Sequence, residues 1–172
     1  STNDDAKRGA REGAPHGALW IAEAQTRGRG RQGRAWSSPR GENLLFSVLL
    51  RVSCAPARVP PVALVAGLAV RDAVARAIGD DAATLVKWPN DVLVRRPGEP
   101  HARKIAGVLV ESALSGPRVE HVVVGVGLNV LTRELPPEIA DLATSVALER
   151  DARGAAGAID RSEILADVLA TL

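Results

Sequence analysis

The sequence predicts an α+β domain in which strand-like runs fold back on one another and long helices lie between them. The first observation is a pair of apolar runs, 17–25 and 43–52, which flank a glycine- and arginine-rich loop and are predicted to pair as antiparallel strands. The second is the helical spacing of apolar residues over 60–78. The third is another pair of strand-like runs, 104–111 and 119–130.

Length and composition indicate a soluble globular protein with a full core. The chain has 172 residues, 46% of them apolar, and a formal net charge of +2, and a chain of this length buries roughly 70% of its unfolded surface. No signal peptide or membrane-length apolar run is visible. The single Cys54 excludes a disulfide framework and agrees with a reducing cytosol.

The chain begins with the pattern of a helix start. Ser1, Thr2 and Asn3 are able to cap a helix, and two acids follow in its predicted first turn. The helix would continue to about Glu12, where Gly13 and Pro15 end it. Two interpretations remain: these residues only cap the helix, or their exposed N–H and hydroxyl groups bind polar ligand atoms.

The loop between the first two strands has the highest concentration of charge in the chain. The first strand delivers Gln25 to this loop, and four guanidiniums fall within residues 27–34, among three glycines. So many like charges repel one another unless something negative lies among them. We therefore predict a lid or clamp for an anionic small molecule.

Several common sites are excluded. The loop matches G-x-G-x-x-G, but Trp36 to Gly41 has turn chemistry instead of a helix start, and no acid occurs between Asn43 and Arg71 to bind a ribose. There is no P-loop, no G-x-S-x-G elbow and no kinase motif set. The three histidines lack metal-ligand spacing to one another or to Cys54.

The middle of the chain contains a break that presents polar residues. Gly79 is predicted to end the helix over 60–78. Residues 84–94 form two short strand-like pieces hinged at Pro89, and the hinge presents Asn90 and Asp91. Pro-Asn-Asp is also ordinary turn composition, so the residues alone leave both interpretations open.

The last third supplies the remaining predicted strands and helices. A polar connection over 95–103 leads into the strand 104–111, and the strand 119–130 ends in Gly125-Val126-Gly127-Leu128-Asn129. Glycines in an apolar strand suggest close approach by another backbone or a ligand. Helices are predicted over 139–148 and 161–172.

Lysine is the rare basic residue in this chain. Only three of the 22 basic residues are lysines, and two of them, Lys87 and Lys104, lie in distinctive local contexts. A compact ammonium where the chain otherwise uses guanidinium suggests a geometric demand, although so few lysines could be placed by chance.

Four motifs in a fixed order now indicate a family. They are Gly-Arg-Gly-Arg-x-Gly-Arg at 28–34, Lys-Trp-Pro-Asn-Asp at 87–91, Lys-x-Ala-Gly at 104–107 and Gly-x-Gly-x-Asn at 125–129. With Ser1-Thr2-Asn3 in front, they closely resemble the catalytic domain of the biotin–protein ligases, from residue 1 to about 148. The resemblance implies a mixed β-sheet with helices packed on it, related to the class II aminoacyl-tRNA synthetases. It also implies one catalytic domain over 1–172.

The resemblance implies a two-step reaction. Biotin and ATP give biotinyl-5′-adenylate and pyrophosphate, and a lysine of a biotin carboxyl carrier protein domain then takes the biotinyl group. ATP and Mg²⁺ would be the cofactors and biotin the substrate. We expect a cytoplasmic monomer or homodimer that uses neither a nucleic acid nor a membrane.

The family pattern also implies site residues. Those on the biotin side are Ser1, Thr2, Asn3, Gln25, Arg29, Gly30, Arg31 and Lys104. Those on the nucleotide side are Arg29, Arg31, Trp36, Lys87, Asn90, Asp91, Lys104 and Asn129. Lys104, Arg31 and Asp91 would be catalytic, and Asp91 is the one candidate side chain for Mg²⁺.

Some features depart from the family pattern, and three rival functions stay open. The 95–103 connection is longer and richer in proline than is usual, and we expect both ends to be truncated, without the helix-turn-helix or the C-terminal SH3-like barrel. The rivals are lipoate– or octanoate–protein ligation, a nucleic-acid-binding module using 27–34, and a truncated fold that binds biotin without turnover.

Overall fold

A single six-stranded sheet organises the chain, with helices on both of its faces. The computed structural model describes all residues, Ser1–Leu172. The strand order is β1-β2-β6-β5-β4-β3, and every pairing of neighbouring strands is antiparallel. The elements are α1 (Thr2–Arg11), β1 (Leu19–Ala22), β2 (Leu44–Cys54), α2 (Pro60–Ile78), β3 (Thr84–Lys87), β4 (Asp91–Val94), β5 (Arg103–Ser115), β6 (Arg118–Leu128), α3 (Val146–Ala152) and α4 (Arg161–Thr171).

The predicted α+β class is confirmed. The antiparallel pairing of the first two strands is also as predicted. Parallel pairing is limited to one isolated bridge between Lys104 and Ala143. None of the four helices combines the length and the hydrophobicity that a membrane crossing needs.

The two faces of the sheet bury different helices. On one face, Ala6 and Ala10 of α1 pack against Leu49 and Val123. The other face carries the main core, in which α2 packs small and branched side chains on the sheet. Gly79 ends α2 as predicted, in the left-handed region with φ 70°.

The predicted helix over 139–148 is wrong. Helix α3 begins only at Val146, with Ser145 as its N-cap. Ile139 and Leu142 are 42% and 67% exposed, so their spacing does not mark a buried face. The backbone around Leu142 bonds to β5 instead, since the Lys104 N–H donates to the Leu142 carbonyl at 2.8 Å.

The sheet register brings three of the four motifs into one row across the strands. Lys87 pairs with Asp91, Asp91 with Gly107, Gly107 with Gly127, and Gly127 with Leu45. Neighbouring strands lie about 4.8 Å apart. Motifs separated by up to 40 residues in the sequence therefore occupy adjacent positions at one end of the sheet.

Candidate active site

The start of α1 and Gln25 form the first part of the site. The Thr2 N–H donates to Gln25 Oε1 at 2.9 Å, and Ser1 caps the helix by accepting from the Asp4 N–H. Beneath them lies Ser47 of β2, which is fully buried and which no sequence motif marks. Its hydroxyl oxygen is 2.8 Å from Thr2 Oγ1 and 2.6 Å from Asn3 Oδ1. Ser47 therefore fixes the side chains of the helix start from below.

Asn3 occupies the space that a side chain at the first glycine of Gly-x-Gly-x-Asn would need. Its Nδ2 donates to the Leu109 carbonyl at 3.4 Å and to Glu111 Oε2 at 2.7 Å, so both ends of the amide are held by the protein. A Cβ on Gly125 would lie 2.0 Å from Asn3 Oδ1. The sequence predicted close approach at this glycine by another backbone or a ligand, and the group that approaches is instead the Asn3 side chain.

The arginine-rich loop folds back on itself as a small flap, which we define as residues 28–36. The Trp36 N–H donates to the Gly28 carbonyl at 3.0 Å, and the Gly30 N–H donates to the Arg34 carbonyl at 2.7 Å. A Cβ on Gly28 would meet the Trp36 carbonyl oxygen at 2.3 Å, so only glycine allows this pairing. The tip is a short 3₁₀ turn over Arg31–Gly33.

Arg29 belongs to the flap, but its guanidinium lies against α1 and is neutralised there. Its guanidinium donates to both carboxylate oxygens of Asp4, at 2.8 and 2.6 Å, and lies 3.5 Å from Glu111. The Arg29 guanidinium holds the pKa of Asp4 well below its usual range. Burial alone would raise the pKa of Glu111, but hydrogen bonds from Lys7 and Asn3 outweigh it and the net pKa is lowered. Arg29 therefore attaches the flap to α1.

Removing the carboxylate partner should loosen this attachment. We expect Asp4→Asn to destabilise the fold by about 0.5–1 kcal/mol, since both side chains are 38% exposed and solvent screens the pair. That corresponds to a melting temperature lower by about 1–4 °C. Because the pKa of Asp4 is lowered, the difference should persist from pH 8 down to about 4 and shrink only below the ordinary range of Asp.

The control for this prediction is on the same helix. Asp5→Asn removes the more exposed pair of Asp5 with Arg8 and should leave the melting temperature near that of the parent. Equal losses for Asp4→Asn and Asp5→Asn would contradict the role given to Arg29.

Trp36 covers the two glycines in the centre of the row. A Cβ on Gly127 would lie 2.5 Å from Trp36 Cε2, and one on Gly107 would lie 3.2 Å from Trp36 Cζ3. Lys104 Nζ stands 5.4 Å from the centroid of the same ring. The indole Nε1 is buried with no hydrogen-bond partner. Gly127 is thus needed so that the ring can pack on the strands, and Gly107 avoids a tight contact with the same ring.

The catalytic residues implied by the resemblance meet at the turn between β3 and β4. Lys104 Nζ lies 2.6 Å from Asp91 Oδ1. In the flap, Arg31 Nη1 donates to Asn90 Oδ1 at 3.3 Å, and Asn90 Nδ2 donates to the Val108 carbonyl at 3.0 Å. Lys104 and Arg31, distant in sequence, therefore contact two consecutive residues, Asn90 in the turn and Asp91 at the start of β4.

Two further residues of the nucleotide side lie at the margins of this group. Asn129 follows β6, and its Nδ2 donates to the Thr144 carbonyl at 3.0 Å. The Thr144 N–H donates in turn to the Lys104 carbonyl at 2.8 Å, which links Asn129 to the group. Lys87 ends β3 with an exposed side chain, and its neighbour Trp88 is 75% exposed.

The chain offers few protein ligands to a metal ion. No group of three or more His, Cys, Asp or Glu side chains converges on one point. Asp91 is the carboxylate among the converging residues, and Lys104 engages one of its oxygens. A hard cation here would need other oxygen ligands, as Mg²⁺ has when substrate phosphates supply them.

Comparison with known proteins gives a consistent family. The profile of the Biotin/lipoate A/B protein ligase family matches residues 1–129. The chain is 43% identical to the biotin–[acetyl-CoA-carboxylase] ligase of Mycobacterium tuberculosis over 149 aligned residues. The aligned region covers 85% of this chain and 51% of that protein. It spans about half the length of the curated relatives that it matches over most of its own length.

Solved structures give the same family. The biotin protein ligase from Aquifex aeolicus in complex with biotin and ATP has a TM-score of 0.74 and 35% identity, covering 99% of this chain and 64% of that one. The biotin protein ligase from Leishmania major in complex with biotinyl-5-AMP has a TM-score of 0.78 and 26% identity, covering 99% and 69%. The chain has the fold of the biotin protein ligases and belongs to the biotin/lipoate A/B protein ligase family.

Proposed function

We propose that the chain is the catalytic domain of an ATP-dependent biotin–protein ligase, which activates biotin as biotinyl-5′-adenylate and then transfers biotin to a lysine of a carrier domain. The observation that carries the proposal is the meeting of Arg31 and Lys104 at Asn90 and Asp91. Arg31 has only a neutral amide as its partner, at 3.3 Å. Its positive charge is therefore available to an anion, unlike that of Arg29.

The relatives support the choice of substrates. The structures of two biotin protein ligases contain biotin with ATP and biotinyl-5-AMP, which are the reactants and the intermediate of this reaction. The Mycobacterium relative is named for acetyl-CoA carboxylase, a class of enzyme with a biotin carrier domain. We extend to this chain both the reactants and the biotin carrier domain as acceptor. The single free Cys54 agrees with the cytoplasmic location that we propose.

In the first step the biotin carboxylate attacks the α-phosphorus of ATP. The new carboxyl–phosphorus anhydride forms as the bond to the leaving pyrophosphate breaks. The carboxylate is already ionised at neutral pH, so the step needs no general base and depends on placement and positive charge. Lys104 would stand between the carboxylate and the α-phosphate, and Arg31 would close on the phosphates with the flap.

Biotin would bind against the start of α1. Gln25, Ser1 and Thr2 offer polar groups there, and the backbone of the flap at Gly30 closes the other side. Asn3 would act by holding the helix start in place, since the protein already engages both ends of its amide. Arg29 would act in the same indirect way through Asp4.

The nucleotide would lie on the side of Asn90, Asn129 and Lys87, next to Trp36. Mg²⁺ bound with ATP would be held mainly by phosphate oxygens, with Asp91 as its one carboxylate, and would neutralise phosphate charge. Asp91 is well placed for this because it begins β4 directly after Asn90, which Arg31 contacts.

In the second step the amine of the carrier lysine attacks the carbonyl carbon of the adenylate. AMP leaves, and the attacking amine loses a proton. Asp91 is the carboxylate that would orient or accept from this amine, after Lys104 has turned to the departing AMP phosphate. The closed flap would keep water from the adenylate until the carrier arrives.

A direct test compares acyl acids. The protein is incubated with ATP and Mg²⁺ plus biotin, lipoate or octanoate, and the bound acyl-adenylate is identified by mass spectrometry. We expect biotinyl-adenylate and a larger thermal shift with biotin than with lipoate, because the tighter ligand stabilises more. A lipoyl- or octanoyl-adenylate alone would assign the rival acyl substrate, and binding of biotin with no adenylate would assign the inactive fold.

A further inference from the structure

Behind the nucleotide side of the site lies a buried carboxylate that has no role in the reaction proposed above. Glu149 of α3 is fully buried, although glutamate is among the residues least often found in a protein interior. Burial alone would raise its pKa, but hydrogen bonds from Arg96, Thr144 and Arg153 outweigh it and the net pKa is lowered. An ionised carboxylate therefore sits in the interior, and such a group persists only where partners hold it.

Three side chains hold Glu149. Arg96 Nε donates to its two oxygens at 3.1 and 3.3 Å, and Arg153 Nη1 donates to Oε2 at 2.6 Å. The Thr144 hydroxyl donates to Oε1 at 2.5 Å. Arg96 comes from the proline-rich connection between β4 and β5, so this connection supplies a partner to the interior.

Thr144 joins this buried cluster to the reacting side of the sheet. Its hydroxyl donates to Glu149 Oε1. Its carbonyl accepts from Asn129 Nδ2 at 3.0 Å, and its N–H donates to the Lys104 carbonyl at 2.8 Å. The backbone of Lys104 is also held by its pairing with Leu93. The side-chain amide of Asn129 has the Thr144 carbonyl as its one protein partner.

We propose that Glu149 is a positioning residue, which acts through the Thr144 hydroxyl to set the orientation of Asn129 on the nucleotide side of the site. The inference rests on the proposed function, since it assigns this orientation to ATP binding. It follows that weakening the contact of Glu149 with Thr144 affects ATP more than biotin, because among the biotin-side residues Thr144 bonds only to the backbone of Lys104, and its N–H makes that bond.

Thr144→Val tests this with little change of shape. The variant loses the hydroxyl but keeps the N–H and the carbonyl, and Glu149 keeps both guanidiniums, so folding should be retained. We expect KM for ATP to rise about 10-fold, in the range that misplacement of a contact group causes, with the Kd for biotin unchanged. Thr144→Ser, which keeps the hydroxyl, should restore most of the affinity for ATP.

A control separates positioning from stability. Asp80 holds the far side of Arg153, at 3.1 Å, and has no contact with Thr144. Asp80→Asn should lower the melting temperature without changing the ratio of KM for ATP to Kd for biotin. The inference is contradicted if Thr144→Val leaves that ratio at the parental value, whatever its melting temperature. A parent protein that makes no adenylate from biotin and ATP contradicts the proposed function itself, a result distinct from the first.

Discussion

Lys104→Gln should slow formation of biotinyl-adenylate by about 100-fold or more, the effect of removing one preorganised group from a developing anion. The ammonium lies 2.6 Å from Asp91 and 5.4 Å from the centroid of the Trp36 ring. Glutamine has similar length but no charge. Pyrophosphate release in a single turnover measures the rate, with biotin at a concentration that saturates the variant so that weaker biotin binding does not enter the comparison.

Two companion variants sharpen this prediction. Lys104→Arg keeps the charge but places a broad guanidinium against Trp36, so we expect it to remain slow if the compact shape of lysine matters. Asp91→Asn keeps the ammonium of Lys104, and we expect it to slow adenylate formation less than it slows the transfer to a carrier lysine. Parental pyrophosphate release by Lys104→Gln would remove Lys104 from the first step.

Arg31→Gly should release biotinyl-adenylate about 10- to 100-fold faster than the parent. The estimate takes one charge-assisted hydrogen bond as worth about 1.5–3 kcal/mol. Arg31 is exposed and has only Asn90 as its partner, so it is free to bind the adenylate phosphate. Released adenylate would react with exposed lysines on any protein, and biotinylation of added serum albumin measures this.

The same flap provides the control. Arg34→Gly makes the same chemical change three residues away, and the Arg34 carbonyl, which is the group that pairs with Gly30, is kept. We expect it to hold its adenylate as the parent does. Equal release by the two variants, or tight retention by Arg31→Gly, would show that the flap does not close through Arg31.

Patterns that depend on local sequence were predicted well. Helices α1 and α2 begin and end close to the expected residues because capping and the left-handed Gly79 are local features. The first two strands also pair as predicted, although β1 is shorter than its apolar run. The helix over 139–148 failed because apolar spacing does not reveal that a backbone will bond to a neighbouring strand.

Site residues that depend on distant partners could not be found from the sequence. Ser47 lies inside an apolar strand and looks like an ordinary half-buried hydroxyl until the start of α1 is placed above it. Glu149 resembles any surface acid of a helix, because its partners lie up to 53 residues away. The neutralisation of Arg29 likewise needs Asp4, which is 25 residues earlier.

The proposed function depends on whether the charges around Lys104 and Arg31 join a carboxylate to ATP. Biotin-dependent exchange of labelled pyrophosphate into ATP measures that step alone, without a carrier protein. We predict rapid exchange with biotin, little without it, and loss of exchange in Lys104→Gln. Exchange that is absent in the parent, or that proceeds equally without biotin, would contradict the proposed activation of biotin by ATP.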